Sequence, residues 1–255
     1  MKTITFGLGG FLLVLLLWGG GAVYVRMIRT DLPPATLERL YPLPHQVVAA
    51  AAELPWLEVL HQAWLSTCRV LLGFCAAAVV ALPLGCGIGR LRAVAEGLEP
   101  VNDFLRYLPV AGFSSLTIFL FGTGDIGAVL VVFLGTVFHL VVATADAVRR
   151  VPTAYVDLGR TMAYGAVHRL RRIILPAAAP TVFDNLRIAV GWAWSYVTLA
   201  EIMGIQGGLG HAIEVSRRYI RTDQVLLWIT IIGLLGLLSD QVMRALGRRW
   251  FRWAT

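Results

Sequence analysis

The fold of this chain is decided by the stretch DLGRTMAYGAVHRLRRIILPAAAP, Asp157–Pro180, which carries four arginines between long apolar runs. We expect a helix from Pro152 to Ala163, a break at Gly165, and a second helix over Ala166–Leu175. Pro176 is expected to end that second helix before the next apolar run begins. The pattern predicts a short, basic, two-part helical segment between hydrophobic ones.

The composition around this segment is that of a membrane protein. Of the 255 residues, 58% are hydrophobic and 15% are charged, whereas soluble domains carry about 25% charged residues. The net charge of +7 would suggest nucleic-acid binding in a soluble protein, but no polar face here interleaves basic and aromatic residues. We interpret the excess as arginines retained on the cytoplasmic side of a membrane.

The apolar runs predict an all-α integral membrane protein with about six transmembrane helices. They are Phe6–Val25, Ser66–Ile88, Leu108–Phe121, Ile126–Ala145, Val182–Met203 and Gln224–Leu238. The first run could instead be a signal peptide, because Lys2 precedes it and small residues at 20–22 offer a cleavage site. Its length of about 20 residues exceeds the usual signal core, so we expect a retained span.

Polar and proline-rich or glycine-rich segments connect these runs. We expect a loop over residues 26–62 with a short surface helix at Gln46–Ala52, a break at Pro100, a turn at 122–125, a break at 204–210 and a polar loop at 211–223. Six spans put both termini on one side, and most arginines of the connecting segments lie on that side. The positive-inside rule therefore predicts cytoplasmic termini and a cytoplasmic 149–172 segment.

Two roles fit a basic, partly apolar helix on the cytoplasmic face. It could dock into a groove of another protein, or it could lie on anionic lipid. The residues themselves do not decide between these alternatives.

The segment resembles the cytoplasmic loop of permease subunits in bacterial ATP-binding-cassette (ABC) importers. That family's loop begins with Glu-Ala-Ala, has glycine at the seventh position and closes with an apolar pair and Leu-Pro. Here Asp157, Leu158 and Gly159 stand at the start, Ala163 stands in place of the glycine, and Ile173–Pro176 match the close. Because alanine favours helix over glycine, we expect the helix to continue through Ala163.

Further strings resemble the nitrate, sulfonate, taurine and bicarbonate branch of that family, and the resemblance covers residues 60–250. They are RVLLGF (69–74), LGRTM (158–162), RRIILPAAAP (171–180), LRIAVGWAW (186–194), AEIMG (200–204), GGLG (207–210) and IIGLLGLLSD (231–240). The resemblance divides the chain into a first helix and periplasmic loop (1–62), a permease core (63–250) with its coupling loop (149–176), and a cytoplasmic tail (251–255).

The resemblance implies a permease of the bacterial inner membrane that forms a homodimer around the translocation path of a small anion. Its implied partners are two ATP-binding subunits, a periplasmic or lipid-anchored solute-binding protein, membrane lipid and no nucleic acid. The implied coupling residues are Tyr155, Asp157, Leu158, Gly159, Arg160, Met162, Ala163, Tyr164, Gly165 and Pro176. Another small nutrient, such as a thiamine-precursor-like or riboflavin-like compound, is an alternative substrate.

Catalytic motifs are missing from the sequence. Gly85–Arg90, GCGIGR, is not a dinucleotide fingerprint, because arginine takes the last glycine's place and no strand precedes it. No GxxxxGK[ST] occurs, so we expect no cofactor in this chain, with ATP and magnesium on the partner ATPase. The histidines show no metal-ligand spacing, and three cysteines in one apolar run indicate packing. A membrane-embedded enzyme or a scaffold is the remote alternative.

Polar residues inside spans are costly and are therefore functional candidates. His139 either faces the translocation path or hydrogen-bonds a neighbouring helix, and Glu201 either pairs with an arginine across the dimer or forms part of an outer gate. Arg69 and Arg187 are expected to snorkel toward the membrane surface. The candidates for the path or gate are His139, Trp194, Tyr196, Thr198 and Glu201.

Overall fold

A computed structural model describes residues 2–253, with side chains omitted for residues 2–8 and 11. Within that part the regular structure is all helical, without strands, and a π-helical turn at Leu170–Ile174 interrupts the α-helices. The α-helices are α1 (Lys2–Ile28), α2 (Pro34–Leu40), α3 (Pro44–Glu53), α4 (Trp56–Arg90), α5 (Arg92–Leu105), α6 (Val110–Phe121), α7 (Asp125–Arg149), α8 (Thr153–Thr161), α9 (Ala166–Arg169), α10 (Leu175–Ile202), α11 (Leu209–Arg218) and α12 (Thr222–Trp250).

Four helical stretches of the described residues are long and apolar enough to cross a membrane: α4, α7, the continuous run from α9 through α10, and α12. The helices α5 and α6 would form a fifth span if taken as one, but they bend by 86°. The predicted third span at Leu108–Phe121 is therefore a 12-residue helix, α6, bent away from α5. In α1 the described apolar stretch is Leu12–Ile28, which is shorter than a full crossing.

Three predictions of irregular structure were wrong. Residues 26–62 contain α2, a longer α3 than expected and the start of α4; α5 continues through Pro100; and α11 occupies most of 211–223. These segments have a low apolar content, but their apolar residues recur at helical spacing, as at Val94, Leu98 and Val101 of α5. One apolar stripe is enough for a helix that packs on a neighbour.

The described chain divides into two compact units. The first comprises residues 1–65 and 207–233. In it Arg221 donates to Glu53 at 2.7 Å and pairs with Asp223 at 3.1 Å, which ties α3 to the start of α12. On α11, hydrogen bonds from Arg217 and Arg218 lower the pKa of Glu214 to about 2.

The second unit, residues 66–206 and 234–255, has its core between α4 and α7. Small residues stand at every fourth position of α4 along the contact: Gly73, Ala77, Ala81, Gly85 and Gly89. A Cβ on Gly73 would lie 2.6 Å from Val132, and one on Gly85 would lie 2.6 Å from Thr144. Helices in membranes associate through such close backbone approach. Glycine is frequent here partly because this packing within the chain requires it.

Candidate coupling segment and translocation path

The first helix of the quoted segment, α8, is shorter than the sequence predicts. It spans Thr153–Thr161, and Met162 is its C-cap residue. Tyr164 N–H donates to the carbonyl of Gly159 at 3.0 Å, and Ala163 N–H donates to the carbonyl of Arg160 at 2.9 Å. These two bonds form a Schellman motif, a common helix C-terminus.

Ala163 lies outside the helix, which corrects the expectation that the helix continues through it. Its φ is +56°, a left-handed conformation that costs L-residues about 1–2 kcal/mol and glycine almost nothing. This position is where the family pattern has glycine, and the Schellman motif supplies the reason. Alanine here keeps the turn under strain.

Contacts within the second unit hold α8 in place. A Cβ on the buried Gly159 would lie 2.6 Å from Ile173 Cδ1, so a larger residue here would displace the end of the Ile173 side chain. Val156 packs against a cluster that contains Val148 of α7 and Ile174 of the π turn. Arg169 Nη1 also donates to the carbonyl of Tyr164 at 3.0 Å, which fixes the link between α8 and α9. The helix is thus attached to the ends of both α7 and α10.

A second face of α8 is apolar and uncovered in this chain. Tyr155, Leu158 and Met162 are each at least half exposed and recur at the three- and four-residue spacing of one helix face. Asp157 and Arg160 pair at 2.9 Å beside this face, with both side chains more than half exposed. Exposed apolar residues aligned on an anchored helix are typical of a docking surface.

Pro176 does not end a helix, which corrects the sequence prediction. The chain is helical without a break from Ala166 to Ile202, and Gly165 starts this run as the N-cap of α9. The π turn at Leu170–Ile174 precedes the proline, and Leu175 N–H donates back to Leu170. A proline ring clashes with the carbonyl four residues earlier in an α-helix. The wider π turn relieves that clash, and such turns recur at functional sites.

Two of the candidate path residues, His139 and Tyr196, line one cavity between α7 and α10. His139 is exposed, and its ring stacks on Trp192 with centroids 6.2 Å apart. The Tyr196 ring lies against Gly135, where a Cβ would come within 2.6 Å of it. Thr136, Asn185 and Trp192 also line this cavity, and no pattern in the sequence indicated them as path residues.

The structure places the other three path candidates away from that cavity. Trp194 is buried, and its indole N–H donates to Ser239 Oγ at 3.1 Å. Thr198 Oγ1 donates to the carbonyl of Trp194 at 2.8 Å, a bond within α10. Glu201 is fully buried.

Glu201 belongs to a buried ionic cluster with Arg69. Arg69 Nη1 donates to Glu201 Oε1 at 2.8 Å, and its Nη2 donates to Asp125 Oδ1 at 2.6 Å and to the carbonyl of Gln206 at 2.8 Å. Ser66 Oγ also donates to Glu201, at 2.8 Å. Arg69 therefore does not snorkel; it joins α4 to the start of α7, the end of α10 and the turn that follows α10.

Arg187 is also paired, contrary to the snorkelling prediction. Its Nη1 donates to Asp240 Oδ1 of α12 at 3.1 Å, and Asp240 in turn accepts a bond from Arg244 at 2.7 Å. A charge in a span is stabilised by a partner of opposite charge. The partners are distant in sequence, so only the packed helices show the pairing.

Comparison with known proteins gives these features a context. Residues 73–252 match the family model described as "Binding-protein-dependent transport system inner membrane component". An ABC transporter permease protein of Methanocaldococcus jannaschii is 31% identical over 186 residues, covering 72% of this chain and 70% of that protein. An aliphatic sulfonates transport permease of Bacillus subtilis is 29% identical over 189 residues, covering 74% and 68%.

Two further similarities concern a nitrate transporter and the fold. A nitrate import permease of Synechococcus elongatus is 28% identical over 190 residues, covering 73% of this chain and 68% of that protein. A chain of the MetNI methionine ABC transporter in an inward-facing conformation has a TM-score of 0.61 at 18% identity, covering 73% of this chain and 95% of that one. The chain therefore belongs to the family of binding-protein-dependent transport system inner membrane components, the permease subunits of ABC importers.

Proposed function

We propose that two copies of this permease subunit form the translocation path of an importer for a small anion, driven by two ATPase subunits and supplied by a solute-binding protein. The observation that carries the proposal is α8, an anchored helix with an uncovered apolar face. Energy from ATP can reach the path only through a contact that differs between two states. In this chain α8 is joined to both α7 and α10, so its displacement would move both.

The ATP and its magnesium are bound by the partner subunits in this proposal, because the sequence has no P-loop. Both termini and α8 face the cytoplasm, as the distribution of arginine predicts. A reporter enzyme that works only outside the cytoplasm can be fused after Thr255. Activity of that fusion would contradict this orientation.

The path in the proposal runs along the uncovered side of α10. Thr181, Asp184 and Ser195 are exposed there in the single chain, and the run containing α10 is the least apolar of the four long spans. Polar groups facing lipid are costly, so a polar stripe favours a watery path or a second subunit. An isologous dimer would bring the same stripe of both copies to one axis.

The anionic substrate class is supported by the similarity to relatives named for sulfonate and nitrate transport.

The sharpest test of coupling is Leu158→Asp, because more than half of Leu158 is exposed in this chain. Thr153→Asp adds the same charge near the opposite side of the same helix and is the matched control. We expect Leu158→Asp to insert and dimerise but to lose ATPase co-purification and solute-stimulated ATP hydrolysis, while the control keeps both. If Leu158→Asp retained normal coupling, α8 would be a lipid-surface helix instead.

A further inference from the structure

The end of α12 is held on α10 by aromatic rings. Phe183 of α10 is buried, and its ring centroid lies 5.6 Å from that of Trp250 and 5.5 Å from that of Phe251. Gly247 favours this close approach, because a Cβ there would already lie 3.0 Å from Phe183 Cε1. The residues at the end of α12 are therefore packed against the neighbouring helix.

The two helices run antiparallel along this contact. Phe183 meets Gly247 and Trp250. Arg187, about one turn further along α10, pairs at 3.1 Å with Asp240, about two turns earlier in α12. Residues before Phe183 and residues after Gly247 therefore lie toward the same end of the helix pair. Four exposed arginines stand in those two segments: Arg171, Arg172, Arg248 and Arg249.

This end of the helix pair has an excess of positive charge. Residues 158–183 and 241–255 include no Asp or Glu. The carboxylates that border these stretches already pair with other arginines: Asp157 with Arg160, Asp184 with Arg187, and Asp240 with Arg244. Arginine clusters next to a membrane span attract anionic lipid headgroups. The four exposed arginines thus form a surface that favours an anion.

Exposed tryptophans accompany these arginines. Trp250 and Trp253 are each more than half exposed, and the Trp253 ring contacts that of Phe251 with centroids 5.4 Å apart. Tryptophan is enriched where a span meets the membrane surface, because its ring is apolar and its N–H is polar. Arginines beside exposed rings match a phosphate that carries acyl chains, whereas an inorganic phosphate ion would use the arginines alone.

We propose that this end of α10 and α12 is a binding site for an anionic phospholipid such as phosphatidylglycerol. Arg248 and Arg249 bind the lipid phosphate, since guanidinium groups donate paired hydrogen bonds to its oxygens. Arg171 and Arg172 add to the positive potential, and the two exposed indole rings lie against the glycerol and the first acyl carbons. The site goes beyond the import function, because it requires only that α10 and α12 span the membrane.

The experiment titrates the full-length permease in detergent micelles with phosphatidylglycerol and counts bound lipid by native mass spectrometry. Each arginine near an anionic lipid surface contributes about fivefold to affinity, so Arg248→Gln with Arg249→Gln should weaken binding about 30-fold. Arg248→Lys with Arg249→Lys keeps both charges and should stay within about fivefold of the wild type. Phosphatidylcholine, which has no net charge, should bind the wild type about tenfold more weakly or less.

Arg92 in α5 and Arg217 in α11 provide the matched control. Both are exposed, and each pairs with a carboxylate of its own helix, Glu96 and Glu214 respectively. Arg92→Gln with Arg217→Gln removes the same total charge, and exposed pairs contribute little to stability. This double variant should change phosphatidylglycerol affinity by less than about threefold.

Each alternative to the lipid site has its own outcome. Equal affinity for phosphatidylcholine would refute the anionic class, and displacement of the lipid by an equimolar amount of glycerol phosphate would refute the lipid in favour of a free phosphate. An equal loss in the Arg92 and Arg217 control would refute the location. If the Arg248→Gln, Arg249→Gln variant kept its lipid but no longer co-purified with the ATPase subunit, the surface would be a protein contact, and the proposal would be wrong.

Discussion

Removal of Arg69 should destabilise the permease more than removal of any exposed arginine. Its side chain is 4% exposed, and that of its partner Glu201 is 0% exposed. The substitution Arg69→Met keeps much of the side-chain length but leaves a fully buried carboxylate without its guanidinium. Breaking a buried ion pair by deleting one partner costs about 3–5 kcal/mol.

Two comparison variants distinguish the effect of burying the ion pair from the effect of its hydrogen bonds. Arg149 donates two hydrogen bonds of similar length to Glu99, at 2.7 and 2.8 Å, but both side chains are 38% exposed. Exposed pairs contribute about 0–1 kcal/mol, so Arg149→Met should cost little. The double variant Arg69→Met with Glu201→Leu removes both charges and should recover most of the stability, because apolar residues often replace a buried pair without loss.

The free energy of unfolding can be measured by titrating the purified permease in mixed micelles with sodium dodecyl sulfate and following tryptophan fluorescence. We expect a coupling energy between Arg69 and Glu201 of about 2 kcal/mol or more from the double-mutant cycle. A cost for Arg69→Met no greater than that for Arg149→Met would contradict the prediction. Costs of the two single variants that simply add in the double variant would contradict it too.

Two further predictions concern backbone geometry. Ala163→Gly should stabilise the permease by about 0.5–1 kcal/mol in the same assay, because relief of the left-handed strain exceeds the added conformational entropy of the unfolded chain. An unchanged or lower stability would show that the φ of +56° carries no strain. Gly85→Ala should cost about 1–3 kcal/mol through overpacking, because its Cβ would lie 2.6 Å from Thr144. Gly97→Ala in α5 is the control: a Cβ there has nothing within 4 Å, so the substitution should be neutral or stabilising. Equal effects of the two substitutions would rule out the close α4–α7 contact.

Some features of the chain follow from its sequence alone. The apolar runs, the low charge and the spacing from Asp157 to Pro176 predicted an all-helical membrane protein of the ABC permease type, and the family comparison confirms it. The length of an apolar run can be seen in the local sequence, and each spanning helix must form its own backbone hydrogen bonds in lipid. The exposed face of α8 was also predictable, since helical periodicity places Tyr155, Leu158 and Met162 on one side.

The tertiary structure decided which polar groups meet. The pairing of Arg69 with Glu201, separated by 132 residues, and the use of Gly73 and Gly85 for contact within the chain depend on how α4, α7 and α10 pack. The strain at Ala163 was missed because helix propensity describes residues inside a helix, whereas this residue closes one. The cavity between α7 and α10 was missed for a similar reason: the residues that line it, such as His139 and Asn185, are far apart in the sequence, and only the packing of the two helices brings them together.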